Sequence, residues 1–292
     1  MPERGSPTVR RRRLGYELRQ LREAAGKTGD EAAVALGWSD SKISRIETGR
    51  VSVTWGDVSD MLDLYGVTDT AARDSLIALA REARKQGWWH SYSDIIDRPY
   101  ATHIGLETAA ESLRIFEPLT VPGLLQTEPY ARVIIATSIR ELGAEEIERR
   151  IEVRLRRQDI VFKNEDPMRL NIVLDEAALR RETGGPAIMA GQVKRLIEAA
   201  GHPRIRLQVL TFAQGPHVAM AGSFGIFSFP GDPGGDIGFV DTMAGSLFIE
   251  RQAEIAAARD AFDELSAQAL SREDTLALLT ETSADYQRRC RE

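Results

Sequence analysis

The stretch WSDSKISRIETGRV, residues 38–51, decides how this chain is read. Its leading turn is small and polar: Ser39, Asp40, Ser41 and Lys42. Its middle carries two isoleucines, Ile43 and Ile46, and it closes on Thr48, Gly49 and Arg50. A short helix with so little apolar surface is held to a core along one narrow stripe, and its front turn is free to face something else.

The flanking sequence says what that is. Upstream, Thr28 can cap a helix, with Glu31 three residues on in capping-box position. That helix carries Ala32, Ala33 and Leu36 and stops at Gly37. Ser39 can cap the next helix, which Thr48 and Gly49 end. Two short helices about a tight turn make a helix-turn-helix, whose second helix enters the major groove with its leading residues at base edges. The groove is wide enough for one helix and shows each base pair a different donor and acceptor pattern. Asp40, Ser41, Ser44 and Arg45 supply the short polar groups and the long donor such a task needs, while Ile43 and Ile46 point inward.

Around this unit, Leu14, Leu18, Leu21 and Ala25 recur with helical spacing and predict a first helix ended by Gly26. Thr54 predicts a cap for a fourth helix with Trp55, Val58, Met61, Leu62 and Tyr65 inward, closed by Gly66. A fifth starts at Thr68 or Asp69 and runs to about Lys85. The expectation is an all-α, five-helix helix-turn-helix domain over 14–86, preceded by a mobile basic arm at 1–13.

Composition supports a folded chain: 42% hydrophobic and 28% charged over 292 residues. The net charge of −6 hides an asymmetry. Residues 1–50 hold 11 Lys and Arg against 7 Asp and Glu, whereas the rest hold 27 against 37, so +4 faces −10. Contact with a polyanion is expected near the first segment only. The single cysteine, Cys290, permits no internal disulfide. No run approaches the roughly 18 apolar residues that span a bilayer, and no apolar segment follows Arg10–Arg13 as a signal peptide requires. A cytoplasmic protein is expected, associated with the nucleoid when on DNA, with no membrane contact.

At G-W-S-x-S-K-I-S-R-I-E-x-G-R (37–50) and the preceding T-G-D-E-A-A-V-A-L (28–36), the sequence resembles the Xre-type, phage-repressor-like helix-turn-helix family over roughly residues 10–80. The resemblance implies base-edge roles for Asp40, Ser41 and Arg45, with Ser44 beside them, and phosphate contacts from Ser39, Lys42 and Arg50. It also implies a buried ion pair of Arg22 and Glu47 joining the first and third helices. The family usually has Gln where this chain has Gly29, so that side-chain phosphate contact is missing; either a backbone N–H at the helix terminus makes it or Arg10, Arg11, Arg12 and Arg13 compensate. Asp40 either accepts from cytosine N4 or is a helix-start charge suited to the macrodipole.

Residues 87–292 read as an α+β domain. QGWWHSYSDIIDR (86–98) is the junction. A charged helix is expected at 143–163, strands at Leu170–Leu174 and Ile205–Leu210 around a helix at 186–200, further strands at 224–229, 237–240 and 246–249, and closing helices at about 251–268 and 271–288. FPGDPGG (229–235) and GGDIGF (234–239) read as turns. The string F-E-P-L-x-V-P-G-L-L-Q-T-x-x-Y-A-R (116–132) resembles the large domain of unknown function that follows an Xre-type helix-turn-helix in many actinobacterial regulators. That family implies an antitoxin-like transcriptional regulator, often encoded beside a small partner protein.

No nucleophile elbow, phosphate loop or dinucleotide motif appears. His90, His103, His202 and His217 lack metal-ligand spacing. Asp175 and Glu176 suit helix capping better than acid–base work. Neither catalytic residues, metal nor cofactor is expected, and the chain is not expected to be an enzyme. Trp88, Trp89, Tyr92, Phe116, Pro122 and Leu124 can line a small-effector pocket, form a protein interface, or seal the junction between domains. The reading is a DNA-binding transcriptional regulator acting on double-stranded DNA as a homodimer, modulated by a small effector or a neighbour-encoded protein. The alternative is an antitoxin-like switch that sequesters a small partner.

Overall fold

The computed structural model describes residues 6–138, 142–229, 231, 235–242 and 245–291. The expected turn FPGDPGG lies largely outside the described residues, as does Gly234 of GGDIGF. The chain falls into two compact units. The first runs to Ser91 and takes in Ala101–Ala109 and the described residues of 229–235; the second holds Tyr92–Tyr100, Ala110–Ser228 and the chain from Asp236 on. The single cut expected at 86/87 is therefore replaced by interleaved segments, because the polypeptide returns to the first unit twice.

The first unit is built on α1 (Pro7–Ala24), α2 (Gly29–Leu36), α3 (Asp40–Glu47), α4 (Trp55–Leu64) and α5 (Thr70–Ala83). Their boundaries follow local chemistry. Thr28 and Glu31 make the reciprocal capping box of α2, and Thr54 and Asp57 make that of α4. Gly37 ends α2 at φ +67°, a conformation that costs a residue with a Cβ. Leu14, Leu18, Ile43, Ile46, Val58, Met61 and Leu62 form the core. At Gly15, α1 crosses α3 backbone to backbone: a Cβ there would lie 2.5 Å from the Ile46 carbonyl oxygen.

Two expectations fail here. Residues 7–13 are no arm but the first turns of α1, because Ser6 accepts from the Val9 N–H, Pro7 sits at the first helical position, and Thr8 and Val9 are buried. Met1–Gly5 lie outside the described residues. Trp55 is 56% exposed instead of packed inward. It opens α4, where the side chain projects off the helix end, and the Arg81 guanidinium lies 5.9 Å from its ring centre.

After a turn of 3-10 helix at Trp88–Tyr92 comes α6 (Arg98–Ala109). The second unit contains β1 (Ser112–Glu117), α7 (Glu128–Ser138), α8 (Ala144–Arg157), α9 (Asp159–Phe162), β2 (Arg169–Asp175), α10 (Ala177–Arg180), α11 (Pro186–Ala200) and β3 (Ile205–Leu210). It continues with β4 (Phe224–Ser228), β5 (Ile237–Thr242), β6 (Gly245–Ile249), α12 (Gln252–Gln268) and α13 (Arg272–Arg289). The helix expected at 143–163 is thus divided at Gln158.

The sheet order is β3-β2-β1-β4-β5-β6. β1, β2 and β3 are parallel; β4, β5 and β6 continue antiparallel. α12 packs on the sheet, where Phe116, Val173 and Leu210 meet Phe262 and Leu265. The outer edge of β3 is closed by the first turn of α13 and the link before it: Thr275 Oγ1 accepts from Val209 N, and Leu270 N donates to Val209 O.

Candidate nucleic-acid interface

The surface begins with the amphipathic division of α3. Ile43 and Ile46 are 1% and 2% exposed, while Ser39, Asp40, Ser41, Ser44, Arg45 and Arg50 are exposed. Arg45 Nε donates to the Ser41 carbonyl at 2.9 Å, laying the side chain back along its own helix. Its two terminal nitrogens have no protein partner among the described residues. Ser39 holds the N-cap position without a capping bond; its hydroxyl lies 3.1 Å from that of Ser41.

Lys42 is tied inward. Its Nζ is 3.0 Å from Asp57 Oδ1 and 3.4 Å from the centre of the Trp38 ring. The same carboxylate caps α4, so Lys42 joins α3 to α4, and a phosphate contact would have to compete with two standing interactions. Asp57 is held below its usual range, its hydrogen bonds from Thr54 and Lys42 outweighing burial.

Beneath the exposed turn lies the link between α1 and α3. Arg22 Nε and Nη2 donate to the two oxygens of Glu47 at 2.7 and 3.0 Å, and Arg22 Nη1 donates to the Lys27 carbonyl at 2.6 Å. Both side chains are almost buried, at 10% and 8% exposure. The bidentate geometry fixes the roll of α3 about its axis as well as its position. Tyr65, beside this pair, is pushed up to about 12 by burial and by the Glu47 charge.

Arg10–Arg13 are half-buried side chains on α1. Arg10 is 3.3 Å from Glu82, and Arg11 Nη2 donates to Thr8 Oγ1 at 3.5 Å. The backbone of Arg12 lies against Gly49 in the turn after α3, where a Cβ would come 2.8 Å from Arg12 Cα. The helix therefore carries this basic group beside the far end of α3.

One residue of the surface escaped the sequence reading. Asp30, in the first turn of α2, reaches the Asp40 carboxyl and holds it above the usual carboxylate range, first by a hydrogen bond and then by its negative charge. Gly29 adjoins this pair: a Cβ there would sit 3.5 Å from Asp40 Oδ1, an ordinary van der Waals contact. The available signal is a second acid in the two helix-leading turns that converge on Gly29.

Comparison with known families agrees with this geometry. Residues 13–76 match the family described as a helix-turn-helix domain. Residues 100–281, more than half of the chain, match the domain of unknown function DUF5753. The chain belongs to the DUF5753 family. The helix-turn-helix domain makes this DUF5753 protein a DNA-binding regulator. No curated protein and no solved structure matches it.

The DUF5753 string at 116–132 is a structural lock. Val121 N donates to Tyr130 Oη at 3.2 Å, and Gln126 Nε2 donates to the Val121 carbonyl at 2.7 Å. Gln192 donates to the Leu125 carbonyl and accepts from Thr127 N at 2.9 and 2.7 Å. Gln158 donates to the carbonyls of Gly123 and Gln126 at 3.1 and 2.7 Å. A buried loop leaves its backbone groups unsatisfied unless side chains reach them, and these amides do so. Asp175 and Glu176 serve the backbone likewise, accepting from Ala177 N and Phe212 N.

The six residues expected to form a pocket or interface are divided between the two units. Trp88 and Trp89, whose ring centres are 5.9 Å apart, belong to the first unit, and the other four to the second. Trp89, Tyr92, Phe116, Pro122 and Leu124 are buried. Phe116 is sheet core, edge-on to His217 at 5.2 Å. Aromatic clusters mark binding sites and buried cores alike, so their spacing along the chain does not separate the two.

Proposed function

We propose that this protein is a sequence-specific transcriptional regulator of the Xre type, cytoplasmic and without catalytic activity. It places α3 in the major groove and binds as a homodimer. One observation carries the reading: Asp40, Ser41, Ser44 and Arg45 are all exposed on a helix whose opposite face, Ile43 and Ile46, is fully buried. Pairing follows from the small area one such domain covers, since two-fold related half-sites about one helical turn apart double the contact. The DUF5753 domain then receives the modulating signal, a small effector or a neighbour-encoded protein.

Selection of bound duplexes from a random pool tests this. The wild-type chain should return paired half-sites, and Arg45→Ala should lose roughly 1–3 kcal/mol of discrimination at one base pair per half-site while keeping its fold. An unchanged preference in Arg45→Ala would remove α3 as the reader. The antitoxin-like alternative draws on the exposed apolar side chains Leu119, Phe212, Val218 and Met220 on the loops after β1 and β3. It requires a protein that co-purifies with the chain while selection returns no duplex preference.

A further inference from the structure

The sheet face that meets α12 is apolar toward the strand ends and ionic toward their beginnings. Side chains two apart on a strand share a face. Phe116 and Val173 are core on this face, so Arg114 and Asn171 lie on it too, as does Arg206 four residues before Leu210. These three are register partners: Arg114 stands opposite Asn171, and Asn171 opposite Arg206. They form one transverse row across β1, β2 and β3. With strands about 4.8 Å apart, two guanidinium groups flank one carboxamide.

A cleft of ≈ 130 Å³ opens over this row, walled on the other side by Phe262, Asp263 and Ser266 of α12. The cations have little internal compensation. Arg206 is exposed and makes no ion pair among the described residues. The carboxylate nearest Arg114 is Asp263 at 3.9 Å, and that side chain is 70% exposed. The Asn171 amide makes no hydrogen bond among the described residues. Gln208, next along β3, donates to the carbonyls of Ser266 and Leu270 at 3.1 and 3.0 Å and accepts from Ser266 Oγ at 2.7 Å. It thereby occupies the Ser266 carbonyl in the last turn of α12 and the Leu270 carbonyl just beyond it, which would otherwise repel an anion.

We propose that this cleft binds the phosphate group of a small metabolite, with Arg114 and Arg206 on its two sides and Asn171 donating from the floor. A lone carboxylate is satisfied by one guanidinium; two on opposite sides match the charge and the several oxygens of a phosphate. The volume is well below the roughly 300–1,000 Å³ of a pocket that encloses a whole ligand, so the anionic end is held and the rest projects outside. The site gives the effector of the proposed regulator a chemical class, and in that role it rests on the regulator reading.

Calorimetric titration of the full chain at constant ionic strength, with inorganic phosphate, glycerol 3-phosphate and succinate in turn, tests the site. Saturable heat with the phosphate compounds is expected, weakened at least about tenfold in Arg206→Gln and Arg114→Gln, both with wild-type circular dichroism and ligand-free unfolding. No saturable heat from phosphate compounds, equal affinity in the double variant, or a response to succinate alone overturns the assignment. Phosphate also stabilises proteins by exclusion from their surface; a rise in thermal stability identical in wild type and variants therefore counts against the site. Operator affinity measured with and without glycerol 3-phosphate should change in wild type and stay constant in Arg206→Gln. No change in wild type overturns the effector role. Failure to bind DNA at all overturns the regulator reading and leaves the calorimetric result standing.

Discussion

Asp40 and Asp30 place two carboxyl groups together where phosphates are expected, and Asp40 is raised as a result. A raised carboxyl keeps its proton further up the pH scale, so the pair carries less negative charge in mild acid and its full charge above that range. DNA affinity should accordingly fall as pH rises through the raised value. Asp30→Asn should flatten that dependence and strengthen binding at neutral pH roughly two- to fivefold, read by fluorescence anisotropy at fixed salt. A pH dependence identical to wild type would show that the pair does not meet the duplex. Glu117, at the end of β1, is pushed up to about 8 by burial and by Asp241, with Arg154 opposing. The unfolded chain ionises it near 4.5, so its contribution to stability is complete below that value and is lost as pH rises through about 8. Glu117→Gln should leave the denaturant midpoint unchanged near pH 4.5 and raise stability by on the order of 2 kcal/mol at pH 8.

Among elements, the decisive relation is between α1 and α3. Gly15 lets the two backbones touch, and Arg22 and Glu47 lock the roll of α3. Glu47→Ala leaves a guanidinium buried and uncompensated, so chemical denaturation should show a loss of about 3–5 kcal/mol in the helix-turn-helix unit. A loss below about 1 kcal/mol would mean the pair behaves as a surface bridge. The helices of this unit are legible from the sequence because caps and glycines are local: Thr28 with Glu31, Thr54 and Gly37 all lie at their expected places. β1 is not. Its apolar residues Leu113, Ile115 and Phe116 are interrupted by Arg114 on the α12 face. The ionic cleft that makes an arginine tolerable in a central strand exists only once β2, and β3 beyond it, are assembled on one side of β1.

On the scale of the whole molecule, charge is divided along the chain, with +4 in residues 1–50 and −10 in the remainder. Long-range attraction to DNA therefore comes from residues 1–50. Since Arg10–Arg13 belong to α1, truncation would remove Thr8 and Val9 from the fold, and charge-only changes are the cleaner probe. Replacing all four arginines with Gln should weaken specific and random duplexes alike and reduce the salt slope by about 0.9 for each phosphate that these side chains neutralise. A specific loss confined to one operator would instead make these side chains base readers.

The sequence alone determined the five leading helices, the helix-turn-helix within them and the α+β character of the remainder, because capping, glycine stops and apolar periodicity act over a few residues. Only the tertiary structure decided that the basic segment is helix, that Lys42 is engaged by Asp57, that Asp30 reaches Asp40, and that Arg114, Asn171 and Arg206 share one row. Each of these joins residues whose separation along the chain carries no local signal, and strand register or helix crossing sets their distance.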